Sequence, residues 1–321
     1  MPPYPVAARF RLLYAKIFPM RIEKKATVVS TSVASLLVVV KMAIGIMSGS
    51  VAVLASAIDS FLDVSVSVFN FFALHNAEKA PDEQFNYGRS KLEPLAAVIE
   101  GTIISISGLF ILYQALAKMW HGQETSYLEA SIGVMLLSIV VTAALVVFLQ
   151  IVAKKTNNMV IKADALHYKT DLFSNGAVLL ALGLISVTGE DIIDPILGIA
   201  IALYMIYSAY PLIKEGVLML LDIALDDGDT EKIKALLEQR LADGDISDYH
   251  YLQTRQAGSV IFVSVHIVFN VSISLYDAHK VTDQIELDIK ALFPDRSVET
   301  IAHMDPYDDS EMNEEESELY N

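Results

Sequence analysis

Two pairs of residues repeat one spacing inside stretches that are otherwise apolar: Asp59 with Asp63, and His167 with Asp171. On a helix, a separation of four sets both members on one face, about one turn apart. Asn70 and Asn175 extend those two faces. An aspartate at the centre of a membrane-spanning helix costs about 2.5–3.5 kcal/mol on insertion scales, so something must offset the pairs. Packed side by side, three carboxylates and one imidazole make a four-ligand set suited to Zn²⁺ and other borderline divalent ions. The plainer reading is that neutral carboxyls hydrogen-bond between helices. Two matching pairs on separate segments exceed what such bonding requires. Cysteine is absent, so metal chemistry falls to carboxylate, imidazole and backbone oxygen.

A second group lies near the C-terminal end: His250, His266, His279 and His303, with Asp305 close behind the last. A lone strand histidine is usually a satisfied polar residue. Four of the chain's seven histidines crowded into one short region point instead to metal binding.

These residues need elements to hold them. The chain has 321 residues, of which 54% are hydrophobic and 19% charged, and its mean hydropathy of +0.45 exceeds what one soluble core could use. Segments of about 20 apolar residues, the length that spans a bilayer as a helix, recur at 26–48, 51–76, 92–118, 127–153, 159–188 and 193–221. Lys and Arg cluster before the first span and in the second-to-third and fourth-to-fifth connections, while "SGS", "WHGQETS" and "TGEDIID" hold almost none. The positive-inside rule then puts both termini in the cytoplasm, as an even number of spans requires. Lys41 and Lys169 lie near span ends or can snorkel, and no chemical role is expected of them.

The net charge of -16 resides almost wholly beyond residue 221. There the pattern becomes that of a soluble domain: an amphipathic helix at 229–242, strands "YHYLQTRQ" and "VIFVSVHIVF", a helix at 276–292, and a short strand "SVETIAH". The expected organisation is a basic cytoplasmic tail (1–25), a six-span all-α membrane domain (26–221), a small cytoplasmic α/β domain (222–305) and an acidic, solvated tail (306–321). So acidic a chain is not expected to bind nucleic acid.

The stretches "SGSVAVLASAIDSFLD" and "KADALHYKTDLFSNGAVLLALG", with "YLQTRQAG" and "AHMDP" in the soluble end, resemble the cation diffusion facilitator family in its bacterial zinc- and iron-efflux branch. The resemblance implies a homodimer of six-helix protomers in the bacterial inner membrane, with a metallochaperone-like cytoplasmic domain. It implies exchange of divalent metal for protons by alternating access. Asp59, Asp63, His167 and Asp171 fall on its transport site, Leu166 on a hydrophobic gate, and Lys91 with Asp222 on a charge interlock. His250, His266, His303 and Asp305 fall on a two-metal cytoplasmic site near the dimer interface, with His279 at its rim or contributed to the other protomer. Zn²⁺ is thereby both the expected substrate and a structural ligand, with Cd²⁺, Fe²⁺, Co²⁺ and Mn²⁺ as alternative cargoes.

One departure stands out. The family branch carries an aspartate and two histidines in the second-to-third loop, whereas "PDEQFNYGRSK" offers Asp82 with Phe85 and Arg89. A phenyl ring and a cation cannot replace two neutral imidazoles, so that metal site is expected to be missing. His75 is the one nearby substitute, and His121 reads as an interfacial polar residue.

Two other functions compete. An intramembrane metalloenzyme would need a general base such as the Glu of HExxH, which these segments lack. A membrane-anchored metal sensor would use the cytoplasmic histidines and leave the intramembrane aspartates without purpose.

Overall fold

The computed structural model describes residues 21–48, 51–121, 129–190, 192–294 and 296–308, excluding the side chains of 45, 48, 51–56, 58, 59, 121, 129–132, 134, 182 and 186. The expectations for the side chains of Asp59 and His121, for the N-terminal tail to residue 20, and for the acidic end from 309 lie outside this description.

Among the described residues, six long helices precede the sheet: α1 (Ile22–Ser48), α2 (Val51–Ala77), α3 (Leu92–His121), α4 (Glu129–Thr156), α5 (Met159–Thr188) and α6 (Ile193–Leu220). Each has 27 to 30 residues, and at about 1.5 Å per residue each exceeds the roughly 30 Å of a hydrocarbon core. Among the described residues, α1, α3, α4 and α6 are long and apolar enough to cross a membrane. The remaining two, α2 and α5, carry the polar pairs.

The chain divides into two compact units, one of Met1–Lys79 with Ala96–Ile213 and one of Ala80–Leu95 with Lys214–Asn321. In the first, α1 packs on α2 and on α4, and α4 on α5. Ala34, Leu74, Leu145, Leu149, Val152 and Ile161 form the shared core of these four helices. Helix α5 has a fixed start: Asn157 turns the chain with φ 52°, and the Asn158 side chain accepts from the N–H groups of Val160 and Ile161. Gly189, at φ 74°, closes its other end by donating to Ile185 O. These caps set the phase of the face that bears His167 and Asp171. Helices α3 and α6 approach closely at Gly101 and Gly108, where an added Cβ would come within 2.8 Å of Ile213 and 3.1 Å of Ile206.

Lys41, seven residues from the end of α1, is held inside the bundle. It is 7% exposed, and its Nζ donates to Ser60 Oγ at 2.7 Å. The Ser60 hydroxyl is one of the groups that receive the buried ammonium. Lys169 stays with aromatic rings, its Nζ 5.5 Å from the centroids of both Phe173 and Tyr204.

The second unit contains α7 (Asp227–Ala242), β1 (Asp248–Ala257), β2 (Val260–Val268), α8 (Leu275–Ala291) and β3 (Ser297–Asp305). Asp226 and Ser274 cap α7 and α8 by accepting from the backbones of Asp229 and Asp277. The sheet order is β1-β2-β3, with β1 antiparallel and β3 parallel to β2. Ile261, Val263, Val265 and Ile267 alternate onto one face and pack with Ile233, Leu237, Ile285 and Ile289 of the two helices. The other parity of β2 therefore presents Ser264 and His266 away from this core.

Candidate metal sites

In the first unit, α2 and α5 bring Asp63, His167 and Asp171 together. Each offers a ligand atom within 4.8 Å of the other two. His167 Nε2 lies 3.3 Å from Asp63 Oδ1 and 3.5 Å from Asp171 Oδ2. A tetrahedral ion with ligands at about 2.0–2.1 Å needs edges of about 3.3–3.4 Å, so this spacing suits a small divalent cation. His167 is 9% exposed, and the two carboxylates are half-buried. The imidazole is held edge-on by the Tyr168 ring, and Tyr168 OH meets Ser67 Oγ at 2.8 Å. Asn175 donates to the backbone oxygen of Asp171 at 2.9 Å, continuing the polar face read from the sequence. Asp59 is four residues before Asp63 on the same helix.

In the second unit, strand register gathers the histidines. His250 pairs with His266, and His266 with His303, so the three stand in a row across the sheet. Asp305 lies opposite Val268, one alternation further along that face. Asp305 is 4% exposed; its Oδ2 is 3.0 Å from His266 Nδ1 and 3.7 Å from His250 Nε2, and its Oδ1 is 3.0 Å from His303 Nε2. Neither His266 Nδ1 nor Asp305 Oδ2 makes a hydrogen bond, although both are buried. Orphaned donor atoms that converge in this way fit a bound cation. Just past β3, Asp308 adds a further carboxylate, its Oδ1 3.7 Å from His250 Nδ1. His279 stands apart from this cluster on α8, 65% exposed at its side chain and 3.7 Å from Asp283.

Sequence reasoning missed the device that aligns the row. Tyr251 has φ 52°, and the β1–β2 register shifts between His250 and Gln253. This bulge lets Tyr249 and Leu252 both pack toward the core while His250 keeps to the opposite face. Strict alternation would predict no such inversion.

Two family profiles cover the chain: the cation efflux transmembrane domain over residues 27–221 and the cytoplasmic domain of cation efflux proteins over residues 225–307. The chain belongs to the cation diffusion facilitator family. Its similarity to curated relatives is of the YiiP/FieF type. The cation-efflux pump FieF of Shewanella oneidensis is 35% identical over 283 residues, covering 88% of this chain and 94% of the relative. The FieF of Klebsiella pneumoniae is 34% identical over 286 residues, covering 89% and 93%. A solved chain of CzrB (Zn form) is 29% identical over 26% of this chain and 90% of its own, with a TM-score of 0.24. This cation diffusion facilitator is therefore a multi-pass membrane transporter for divalent cation efflux and not an enzyme.

The facilitator's second-to-third loop is closed by protein groups. Asp82 Oδ1 accepts from the backbones of Gln84 and Phe85, and its Oδ2 takes Arg89 at 2.5 Å. The Arg89 guanidinium lies 4.2 Å from the Phe85 centroid. The Phe85 backbone bond and the Arg89 side chain hold the Asp82 carboxyl below its ordinary range. His75 stacks on Phe71 at 6.1 Å, on the other compact unit.

Lys91 Nζ meets Asp222 Oδ2 at 2.9 Å and the Leu220 carbonyl at 3.2 Å. The sequence pointed to that pair and missed its third member: Arg255 donates to Asp222 Oδ1, also at 2.9 Å. Partial burial pushes the Asp222 carboxyl up, but the bonds from Lys91 and Arg255 together leave it below its ordinary value. Leu166, immediately before His167, packs against Ile104, Met205 and Ala209, which join α3 to α6.

Proposed function

We propose that this facilitator exports Zn²⁺ from the cytoplasm in exchange for protons, through a transport site of Asp59, Asp63, His167 and Asp171. The convergence of Asp63, His167 and Asp171 from two helices carries the reading. One nitrogen and three oxygens suit Zn²⁺ while leaving Cd²⁺, Fe²⁺, Co²⁺ and Mn²⁺ as competitors. Metal-free, the clustered carboxylates repel one another and favour protons; a bound divalent cation displaces them, so the two compete for one site. On this reading Leu166 acts as an apolar barrier beside the ligands, and the protein lies in a bacterial inner membrane with both termini in the cytoplasm.

The domain division follows the same reading, with a membrane domain to about 221 and a cytoplasmic domain from 222 to 305. Its His250, His266, His303 and Asp305 hold Zn²⁺ as a structural ligand and tighten a homodimer, with His279 at the rim. The chemistry supplied there is cross-linking of strands by ligation, and Asp305 serves as the shared anionic ligand. The names of the FieF relatives, cation-efflux pumps, support the transport direction.

The test is a metal panel on purified full-length protein in liposomes with a trapped pH dye. Zn²⁺ entry should drive protons the opposite way, with apparent metal affinity weakening as pH falls from about 7.5 to 6, around the reference His value of about 6.5. Zn²⁺ flux without proton counterflow at any pH would replace antiport with a passive path. Equal rates for every metal in the panel would remove the Zn²⁺ assignment.

A further inference from the structure

Among the described residues of the first unit, Glu100 on α3 and Asp164 on α5 are the two most deeply buried carboxyls, at 1% and 0% exposure. Neither belongs to the ligand cluster of Asp63, His167 and Asp171. Asn70, on α2, stands between them: its Nδ2 donates to Glu100 Oε2 at 2.9 Å. Three helices thus converge on one enclosed polar cluster.

The hydrogen bonds there do not balance. Glu100 Oε1, both carboxylate oxygens of Asp164, and Asn70 Oδ1 are buried without a partner. All four are oxygens, and each can accept. The Ser30 hydroxyl and the Asn70 amide both approach Asp164 as donors without reaching full hydrogen-bond geometry, and the Ser30 hydroxyl also donates to the Thr27 carbonyl at 3.1 Å. No lysine or arginine forms an ion pair with either carboxyl among the described residues. Two ionised carboxylates enclosed together would each carry a desolvation penalty that these few contacts do not offset. What the cluster lacks is donors, and a proton on a carboxyl turns an acceptor oxygen into a donor. One proton can satisfy Asn70 Oδ1, and a second can join the two carboxyls.

We propose that Glu100 and Asp164, bridged by Asn70, form a proton-binding site inside the helix bundle, separate from the metal ligands and coupled to them through space. The coupling has a short path, since Asp164 precedes His167 by three residues, less than one helical turn. The charged groups facing Glu100 are Asp164, His167 and Asp171; those facing Asp164 include His167 and Asp63. Tyr168 also faces Asp164, and α1 contributes Ser30. A divalent cation arriving at Asp63, His167 and Asp171 brings positive charge to the same neighbourhood and favours loss of the carboxyl proton. The O–H bond breaks heterolytically, the proton passes to water, and the carboxylate left behind lowers the net charge beside the cation.

This inference rests on the proton-exchange reading only for its role in transport; the protonated state itself can be read directly. In full-length protein in liposomes, infrared difference spectra between Zn²⁺-free and Zn²⁺-loaded states should show loss of a protonated carboxyl band. Glu100→Gln should remove all or part of that band. Its amide supplies the missing donor without a proton, so the variant should fold, and Asp164→Asn is the second variant on the same logic. Each should bind Zn²⁺ at pH 7.5 within about threefold of the parent, while the number of protons moved per Zn²⁺ falls and the acid side of the flux profile flattens. An infrared band unchanged in both variants would overturn the site. A band lost in the variants with an unchanged proton count and pH profile would overturn its coupling to transport. Absence of proton counterflow in the parent, with the band still assigned to Glu100, would defeat antiport while leaving the proton site standing.

Discussion

The Arg89 guanidinium is bonded to Asp82 at 2.5 Å in the loop where a divalent cation would otherwise need that carboxylate. A charged side chain supplies the positive charge, and two backbone N–H groups fill the other oxygen. Asp82→Ala should therefore leave the number of Zn²⁺ ions per protomer and the flux unchanged. Elemental analysis of the purified variant checks this, and one fewer ion per protomer would mean that the loop binds metal after all.

The Asp63 and Asp171 carboxylates flank His167 Nε2 at 3.3 and 3.5 Å. On the proposed transport site, replacing either by Ala removes an anionic ligand and with it more than the roughly 10–100-fold in affinity lost when only an outer partner is removed. Zn²⁺ flux should fall to background. Loss of an intramembrane charge lowers insertion cost by about 2.5–3.5 kcal/mol, so membrane yield should hold. Flux at the parent level in either variant would take these residues out of the transport site.

His266 and His279 should behave differently although both are cytoplasmic histidines. His266 is 3.0 Å from Asp305, whereas His279 is on an exposed helix face with Asp283. Zn²⁺ at 100 times its dissociation constant stabilises a folded binding site by about 2.7 kcal/mol. The Zn²⁺-dependent rise in melting temperature of the cytoplasmic transition should vanish in His266→Ala and persist in His279→Ala. A full shift retained in His266→Ala would exclude a metal at the histidine row.

The shared face of His167 and Asp171 was legible because a spacing of four on a helix is fixed by geometry, and the structure brings Asp63 from the other helix to both. Element order was legible too, with strands and helices within a few residues of their expected bounds. Three things were hidden. The bulge at Tyr251 arises from pairing with β2, which local alternation cannot express. Arg255 reaches Asp222 from 33 residues away, a distance no motif spans. Glu100 was visible as a carboxylate in the apolar run "AAVIEGTIIS", but its partners Asn70 and Asp164 lie on other helices.

Asp222 tests backbone and charge in one residue. It has φ 60°, a left-handed conformation that Asn and Asp tolerate better than other non-glycine residues. It also receives Lys91 and Arg255, one on each oxygen. Asp222→Asn keeps the conformational tolerance and loses the charge; because the pairs are exposed, each contributes about 0–1 kcal/mol. Asp222→Ala loses both and should cost a further 1 kcal/mol or so. Lys91→Ala should be the mildest, since Arg255 still neutralises the carboxylate. The carboxyl is held below its unfolded value of about 3.9, so its contribution is present above that pH and lost as pH falls through the folded value. Acid unfolding of the parent should therefore begin at lower pH than that of a variant lacking both cations, Lys91→Ala with Arg255→Ala. Equal melting temperatures at pH 7 for Asp222→Asn and Asp222→Ala would show that backbone conformation contributes nothing, and equal acid transitions for parent and double variant would do the same for the charges.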